Sequence, residues 1–188
     1  EILKNSITTA GGKIHTSYNV DRDEFNRMRD DYDAVVVAVG AQNPFVLPVE
    51  GKERIIKGLD FLKEINKGNK FSIGDNVVVI GAGNAAMDVV LGAYKVGAKN
   101  VTAIDIQKPA AFEKEIEAAK ALGAKIMYPC FTERVTEEGV YLSNGTLLKA
   151  NSVVIAIGDR TDLSFMPDEF LNERKQPVLN EFNQCVNV

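Results

Sequence analysis

Histidine and cysteine are scarce in this sequence, with one histidine and two cysteines among 188 residues. Cys130 and Cys185 form no Cys-x-x-Cys pair, which argues against a dithiol redox centre and against cluster or zinc ligands. We expect both cysteines to be reduced, buried, small apolar residues. A single histidine cannot build a metal site, and we expect His15 at the surface or edge of a strand over residues 13–18. The sequence therefore predicts no metal centre.

An excess of basic charge and long apolar runs are also absent. The formal net charge is −4 at pH 7, which gives no reason to expect nucleic acid or an anionic membrane as a partner. No apolar stretch approaches the length of a membrane span, and no secretory leader is visible. We therefore expect a cytoplasmic protein. The chain begins with Glu1 rather than methionine, and we expect it to be a piece of a longer protein.

The most informative segment that is present follows the β-branched run of residues 77–80. Gly81, Gly83 and Ala86 form a Gly-x-Gly-x-x-Ala motif there, and a helical pattern begins at once. A strand, a tight turn and a helix N-terminus in this order are typical of a turn that binds a pyrophosphate. Gly81 permits the turn, Gly83 lets the backbone approach the phosphates, and the helix N-terminus attracts the anion.

A carboxylate stands at the end of the next predicted strand, residues 100–105. Asp105 follows the glycine motif by roughly 20 residues, the position at which the hydroxyl groups of a ribose are held. The intervening segment, from Asn84 to about Val96, has apolar residues at helical spacing. The sequence therefore predicts dinucleotide binding. A glycine-rich turn that binds nothing, with Asp105 capping the next segment, is the alternative that stays open.

Three segments are expected along the chain: residues 1–70, 71–158 and 159–188. The first is predicted to contain a buried strand over residues 34–39 and an amphipathic helix around residues 59–65. Between them, prolines and glycines indicate an extended, turn-rich connection. The third segment shows little regular pattern.

The middle segment is predicted to carry the main sheet. A helix over residues 111–122 and a strand over 124–128 continue the βα alternation. The Asn144-Gly145 pair between short alternating strands indicates an antiparallel hairpin. An apolar strand over 152–158 then returns to the parallel sheet. The pattern therefore predicts an α/β fold, with a Rossmann-like parallel sheet and a small antiparallel β-meander insertion.

Two apolar strands with the same ending, residues 33–41 (DAVVVAVGA) and 151–159 (NSVVIAIGD), extend the comparison to a known family. Together with the glycine motif they resemble the two-dinucleotide flavoprotein oxidoreductases, in which an NAD(P)-binding domain is inserted into an FAD-binding domain. Within that superfamily the chain is most similar to the glutamate synthase small (beta) subunit and its relatives. Residues 47–51, 58–62 and 77–88 carry this similarity. On periodicity alone, the two strands are equally consistent with ordinary buried strands.

This resemblance implies which residues meet the dinucleotide. It implies that the pyrophosphate is held by Gly81, Ala82, Gly83, Asn84 and Ala85. It implies that Asp105 holds the adenine-side ribose, with Ile106 and Gln107 near the adenine. Ala156, Ile157 and Gly158 would line the nicotinamide end. Because hydride would pass from the nicotinamide to a flavin, the resemblance predicts no catalytic acid, base or nucleophile in this chain.

The residues after the second strand bear on the choice of nucleotide. Relatives in that family usually carry a pair of arginines there, which suit the 2′-phosphate of NADP. This sequence has Ile106 and Gln107 after Asp105, and a carboxylate repels a phosphate. We therefore expect NAD rather than NADP, although Lys108 leaves NADP possible.

The flavin half of the family pattern is incomplete. A second glycine-rich turn, the final Gly-Asp motif and the cysteine clusters of the glutamate synthase small subunit are all missing. Residues 1–70 and 159–188 are therefore expected to be partial segments of an FAD-type domain. We expect FAD in the parent protein but not on this chain. The expected partners are the remainder of that domain and an electron-accepting domain or subunit.

Two other functions share some of these features. One is a non-catalytic NAD-binding Rossmann module. The other is an S-adenosylmethionine methyltransferase, which also uses a glycine turn and an acid at the end of the second strand. The hairpin and the paired Ala-x-Gly strands argue against the methyltransferase.

Overall fold

The computed structural model describes residues 2–186, and contacts divide these residues into two units. One unit comprises residues 2–39 and 162–186, and the other comprises Gly40–Thr161. Residues 40–70, which the sequence analysis groups with the first segment, therefore pack with the nucleotide-binding candidate residues. The assignment of the three segments to flavin and nucleotide domains stays a prediction.

The first unit contains two helices, α1 (Ile2–Thr9) and α2 (Arg22–Asp31). The side chain of Asp21 accepts a hydrogen bond from the backbone N–H of Glu24 at 2.9 Å, which caps the N-terminus of α2. On the buried face of α2, Phe25 packs with Met166 and Leu171 in a small apolar cluster. Helix α1 buries no residue, so this unit has a small core.

Two predicted strands of the first unit are wrong. Residues 13–18 and 34–39 form no strand, and the side chain of Val36 is 88% exposed. An apolar run becomes a strand only when another strand pairs with it, and within the described residues of this unit no strand pairs with either segment. His15 is exposed, with its ring 6.1 Å from that of Tyr18, so its expected surface position is confirmed without the strand.

The end of the chain contains a tandem repeat that the sequence analysis missed. Residues 171–178 and 179–186 share Leu, Asn, Glu, Gln and Val at matching positions. In each copy the asparagine side chain, from Asn172 or Asn180, accepts two backbone N–H groups at 2.9–3.0 Å. Each copy therefore folds into the same turn. Cys185 lies in the second copy and is exposed, so the expectation that it is buried is wrong.

The second unit contains the strands β1 (Asn43–Pro44), β2 (Ile55–Lys57), β3 (Asn76–Ile80), β4 (Asn100–Ile104), β5 (Lys125–Met127), β6 (Thr132–Thr136), β7 (Gly139–Leu142), β8 (Leu147–Lys149), β9 (Ser152–Ile155) and β10 (Asp159–Arg160). Five of them form a parallel sheet with the order β2-β9-β3-β4-β5. The helices of this unit are α3 (Gly58–Asn66), α4 (Asn84–Lys95) and α5 (Glu113–Ala121).

The two faces of the parallel sheet are covered by different layers. Successive strand residues point to opposite faces, so Val77 and Val79 pack against helices α3 and α4, while Val78 and Ile80 face the other way. Strands β6, β7 and β8 form an antiparallel meander whose Val140 is fully buried against that second face. The predicted α/β fold with a parallel sheet and a β-meander is thereby confirmed.

Several predicted boundaries need correction. Strand β9 ends at Ile155 rather than at residue 158, because the chain turns away after Ala156. Strand β2, which lies in the connection predicted to be irregular, adds a fifth strand beside β9. Its three residues are too few to show the alternation of apolar and polar residues that predicts a strand. Strands β1 and β10 pair antiparallel and were not predicted.

No helix within residues 2–186 is long and apolar enough to cross a membrane. Within the same residues, no group of three histidine, cysteine or acidic side chains is placed to hold a metal ion.

Candidate nucleotide-binding site

The predicted site residues follow three neighbouring strands of the parallel sheet. In the register of the sheet, Ile80 at the end of β3 lies beside Ile104 of β4 on one side and Ile155 of β9 on the other. The carboxyl ends of parallel strands meet at one edge, where α/β proteins bind ligands. The structure therefore brings residues 81–85, 105–107 and 156–158 together at this edge.

Gly81 is enclosed by backbone on two sides. Its N–H donates to the carbonyl of Ile104 at 2.8 Å, and its φ of +124° is a conformation that side chains rarely adopt. A Cβ atom at this position would lie 2.3 Å from the carbonyl oxygen of Ala156. Glycine is therefore needed at position 81 by the fold itself.

Gly83 is surrounded by open space. It is the N-cap of α4 with an extended backbone (φ −87°), and a Cβ built on it would meet nothing within 4 Å. No side chain caps the helix, whose first-turn N–H groups have no acceptor within the helix itself. The missing side chain at Gly83 thus leaves room next to free backbone donors, and this arrangement fits a pyrophosphate.

Asp105 points back toward the glycine turn. One carboxylate oxygen accepts the N–H of Ala82 at 2.8 Å, and the other accepts the N–H of Gln107 at 3.1 Å. The side chains of Ile106 and Gln107 are exposed beyond it. The acid predicted to bind a ribose therefore also ties the end of β4 to the turn after β3.

Further hydrogen bonds attach the rest of the loop 105–112, which connects β4 to α5, to the same turn. The N–H groups of Ala110 and Ala111 donate to the carbonyl of Ala82 at 3.1 and 3.2 Å. The side-chain oxygen of Asn84 accepts the N–H of Phe112 at 2.8 Å. The sequence analysis names residues 105–108 of this loop but not the donors at residues 110–112, because backbone donors leave no trace in the pattern of residue types.

The third group of predicted residues continues from β9. Ala156 donates its N–H to the carbonyl of Ile80 at 2.8 Å, and the side chain of Ile157 is 42% exposed. Gly158 has a φ of +106°, and its carbonyl accepts the N–H of Phe45 at 3.2 Å. The arginine side chain of Arg160 covers the ring of Phe45 at 4.3 Å. Phe45 and Arg160 were missed by the sequence analysis.

The N-terminus of α3 also reaches this edge. A Cβ on Gly58 would lie 2.9 Å from the carbonyl oxygen of Ile155 and 3.3 Å from the side chain of Ala156. Strand β2 leads directly into α3, so the short strand that the sequence did not reveal places this helix next to Ile155 and Ala156.

Cys130 lies close to the site but is held in its thiol form. Its N–H donates to the carbonyl of Asp105 at 2.7 Å, and its side chain is 8% exposed. Burial raises the pKa of the Cys130 thiol above its ordinary value. Because the thiolate is the reactive form, this cysteine is not set up as a nucleophile.

The sequence of the chain is similar to those of known proteins. The chain matches the family model for pyridine nucleotide-disulphide oxidoreductases over residues 3–187. It is 27% identical over 197 residues to the NADPH-Fe(3+) oxidoreductase subunit beta of Geobacter sulfurreducens, covering 86% of this chain and 29% of that protein. It is 30% identical over 139 residues to the NAD-dependent dihydropyrimidine dehydrogenase subunit PreT of Escherichia coli K12, covering 69% and 34%.

The fold is also found among solved structures. The thioredoxin reductase of T. acidophilum superposes with a TM-score of 0.61 at 19% identity, covering 79% of this chain and 52% of that one. At that identity the likeness shows a shared fold. The chain spans about a third of the length of the two curated relatives named above.

Proposed function

The chain belongs to the pyridine nucleotide-disulphide oxidoreductase family, and we propose that residues 71–158 are the nicotinamide-nucleotide-binding part of a flavoprotein oxidoreductase. The observation that carries this proposal is the turn after β3. Gly83 leaves open space beside the uncapped N-terminus of α4, and Asp105 stands at the end of the adjacent strand.

In this proposal the backbone of the turn holds the pyrophosphate. The N–H groups of Gly83, Asn84 and Ala85 lie at the helix N-terminus, where donors and dipole both favour an anion. The N–H of Ala82 is already bonded to Asp105, so Ala82 serves the site by its position and small size.

Asp105 can hold a ribose while it holds the loop. Each carboxylate oxygen accepts one backbone N–H, and an ionised carboxylate has about four lone-pair positions in all. Ribose hydroxyl groups can therefore donate to the same side chain, with Ile106 and Gln107 near the adenine.

Residues 156–158 would line the nicotinamide end of the site. When bound, the nicotinamide supplies the hydride that the flavin of the parent protein accepts. The chain's part is to orient the dinucleotide, since Ala156 and Gly158 fix the backbone there through bonds to Ile80 and Phe45. We assign no catalytic side chain to this chain and no metal.

We further propose that NAD is preferred to NADP. Asp105 would face the ribose position at which NADP carries its extra phosphate, and two negative groups at about 4 Å repel by roughly 1 kcal/mol even in water. The names of the two relatives favour neither nucleotide, since one is named for NADPH and the other for NAD.

The remaining proposals concern the whole protein. We propose FAD as the second cofactor of the parent protein, with the remainder of an FAD domain and an electron-accepting domain or subunit as partners. Both relatives are named as subunits, which supports such a partner. Similarity to the glutamate synthase small subunit in particular, and a cytoplasmic location, remain predictions from the sequence.

Ligand titration of the purified chain tests the proposal. NADH should bind in a one-to-one complex, more tightly than NADPH, while FAD should not copurify or bind. S-adenosylmethionine is the control for the methyltransferase alternative. Preference for S-adenosylmethionine, or a yellow protein with stoichiometric FAD, would contradict the proposal in different ways.

A further inference from the structure

Helix α5 packs against the core through Ala119 and the partly buried Ile116. Of its nine residues only Ala119, near its C-terminal end, is buried. The N-cap residue Phe112 has its ring 65% exposed, and no side chain caps this end of the helix. Residues 112–114 at the start of the helix are themselves exposed, and the partly buried Ala111 and Ile116 on either side of them pack against the core.

Hydrogen bonds to the glycine turn hold the exposed start of α5 in place. The carbonyl of Phe112 accepts from Glu115 at 2.9 Å and from Ile116 at 3.2 Å, and so starts the helix. Its N–H donates to the side-chain oxygen of Asn84 at 2.8 Å. Together with the two bonds to the carbonyl of Ala82, this bond holds the second half of the loop 105–112 against the turn.

Asn84 thereby has two separate tasks. It is the first residue of α4, so its backbone N–H is one of the donors at the helix N-terminus. Its side chain leaves the helix and reaches the residue before α5. A single residue therefore links the donors of the turn to the loop that borders them on the β4 side.

We propose that Asn84 is a positioning residue of the nucleotide site, whose side-chain oxygen fixes the loop 105–112 and so the wall beside the adenosine half of the dinucleotide. This inference rests on the proposed function. It assigns to the Asn84 side chain an effect on nucleotide affinity that acts through Phe112 and the loop.

Two substitutions at Asn84 distinguish the effect of the side-chain oxygen from that of the rest of the residue. Asn84→Ala removes the acceptor, whereas Asn84→Asp keeps an oxygen at the same reach. Asn144→Ala is the matched control, because the Asn144 side chain likewise accepts a backbone N–H, that of Thr146 at 3.0 Å, but in the meander hairpin. Thermal unfolding of each variant of the 188-residue chain establishes that it is folded.

Hydrogen exchange at the Phe112 amide is the first measurement. Losing one neutral hydrogen bond should speed its exchange about fivefold in the Asn84→Ala variant. Asn84→Asp should exchange like the wild type, and so should Asn144→Ala. A protected Phe112 amide in Asn84→Ala would overturn the proposal, and if that variant does not fold, fast exchange in Asn84→Asp would do the same.

NADH affinity is the second measurement. The dissociation constant should rise about fivefold for Asn84→Ala and stay unchanged for Asn144→Ala. If the wild type binds NADH and Asn84→Ala binds it equally well, the positioning role is contradicted and the proposed function is not. If the wild type binds no nicotinamide nucleotide, both fall.

Discussion

Gly81 and Gly83 lie two residues apart in one turn and differ in what surrounds them. A Cβ on Gly81 would meet the carbonyl of Ala156, whereas a Cβ on Gly83 would point into open space. The first glycine therefore serves the fold, and the second leaves room for a ligand. The motif spacing predicts that both positions matter, but only the position of Ala156, which follows β9, shows that they matter for different reasons.

Alanine substitutions at these two glycines should affect stability unequally. Gly81→Ala forces a side chain into a left-handed backbone and against a carbonyl, and should lower the free energy of unfolding by at least about 2 kcal/mol. Gly83→Ala should change it by less than about 1 kcal/mol, because the extended backbone suits any residue. Chemical denaturation measures both. Equal losses would contradict the distinction.

The charge of Asp105 is predicted to discriminate between the two nicotinamide nucleotides. Asp105→Asn keeps an oxygen that can accept the N–H of Ala82 but removes the negative charge. The ratio of NADPH to NADH affinity should therefore rise at least about fivefold, the equivalent of a 1 kcal/mol repulsion. Fluorescence titration with each nucleotide measures the ratio.

Salt provides a control for this prediction. The discrimination of the wild type should weaken at high ionic strength, since salt screens repulsion between partly exposed charges. An unchanged affinity ratio in Asp105→Asn would contradict the assignment of NAD.

The two cysteines should react at very different rates with a thiol reagent. Cys185 is exposed, while Cys130 is buried with a raised pKa. One equivalent should therefore react quickly in the native protein and the second only after unfolding. Cys185→Ser should abolish the fast phase, and its persistence in that variant would contradict the burial of Cys130.

Strand formation depends on neighbours as well as on the apolar pattern. Residues 33–41 and 151–159 have nearly the same sequence pattern, yet only the second forms a strand, β9, which lies between β2 and β3. The glycine that ends each pattern has a positive φ in both cases, +69° at Gly40 and +106° at Gly158. Local pattern therefore predicts the turn in both segments, but strand pairing requires knowledge of the partner.

Matched substitutions at equivalent positions of these two segments should show this difference. Val36 and Val154 occupy the same place in the pattern, with 88% and 0% of their surfaces exposed. Val154→Ala should lower the free energy of unfolding by about 2–3 kcal/mol, through lost burial and a cavity. Val36→Ala should lower it by less than about 0.5 kcal/mol. A large loss at Val36 would show that residues 34–39 are buried.

At the scale of the whole chain, the sequence predicts the unit that carries the candidate nucleotide site better than it predicts the other unit. The unit Gly40–Thr161 contains helix α4, strands β3 and β4 and the meander. The spacing of apolar residues and the turn-forming residues predict all of these elements. The candidate site residues come from the glycine motif, the position of Asp105 and the family resemblance, and the structure places them at the edge where the carboxyl ends of β3, β4 and β9 meet. The contacts of Phe45, Gly58 and Phe112 with that edge were not predicted, because they are made by backbone groups and by tertiary packing.

Calorimetric titration of NADH into the wild type and into Gly83→Ala tests the central claim most directly. The claim is that the turn at residues 81–85 binds the pyrophosphate in the space left by Gly83. The wild type should bind one NADH, and Gly83→Ala should bind at least about tenfold more weakly while remaining folded. Absence of NADH binding by the wild type, or equal affinity in the two proteins, would contradict the claim.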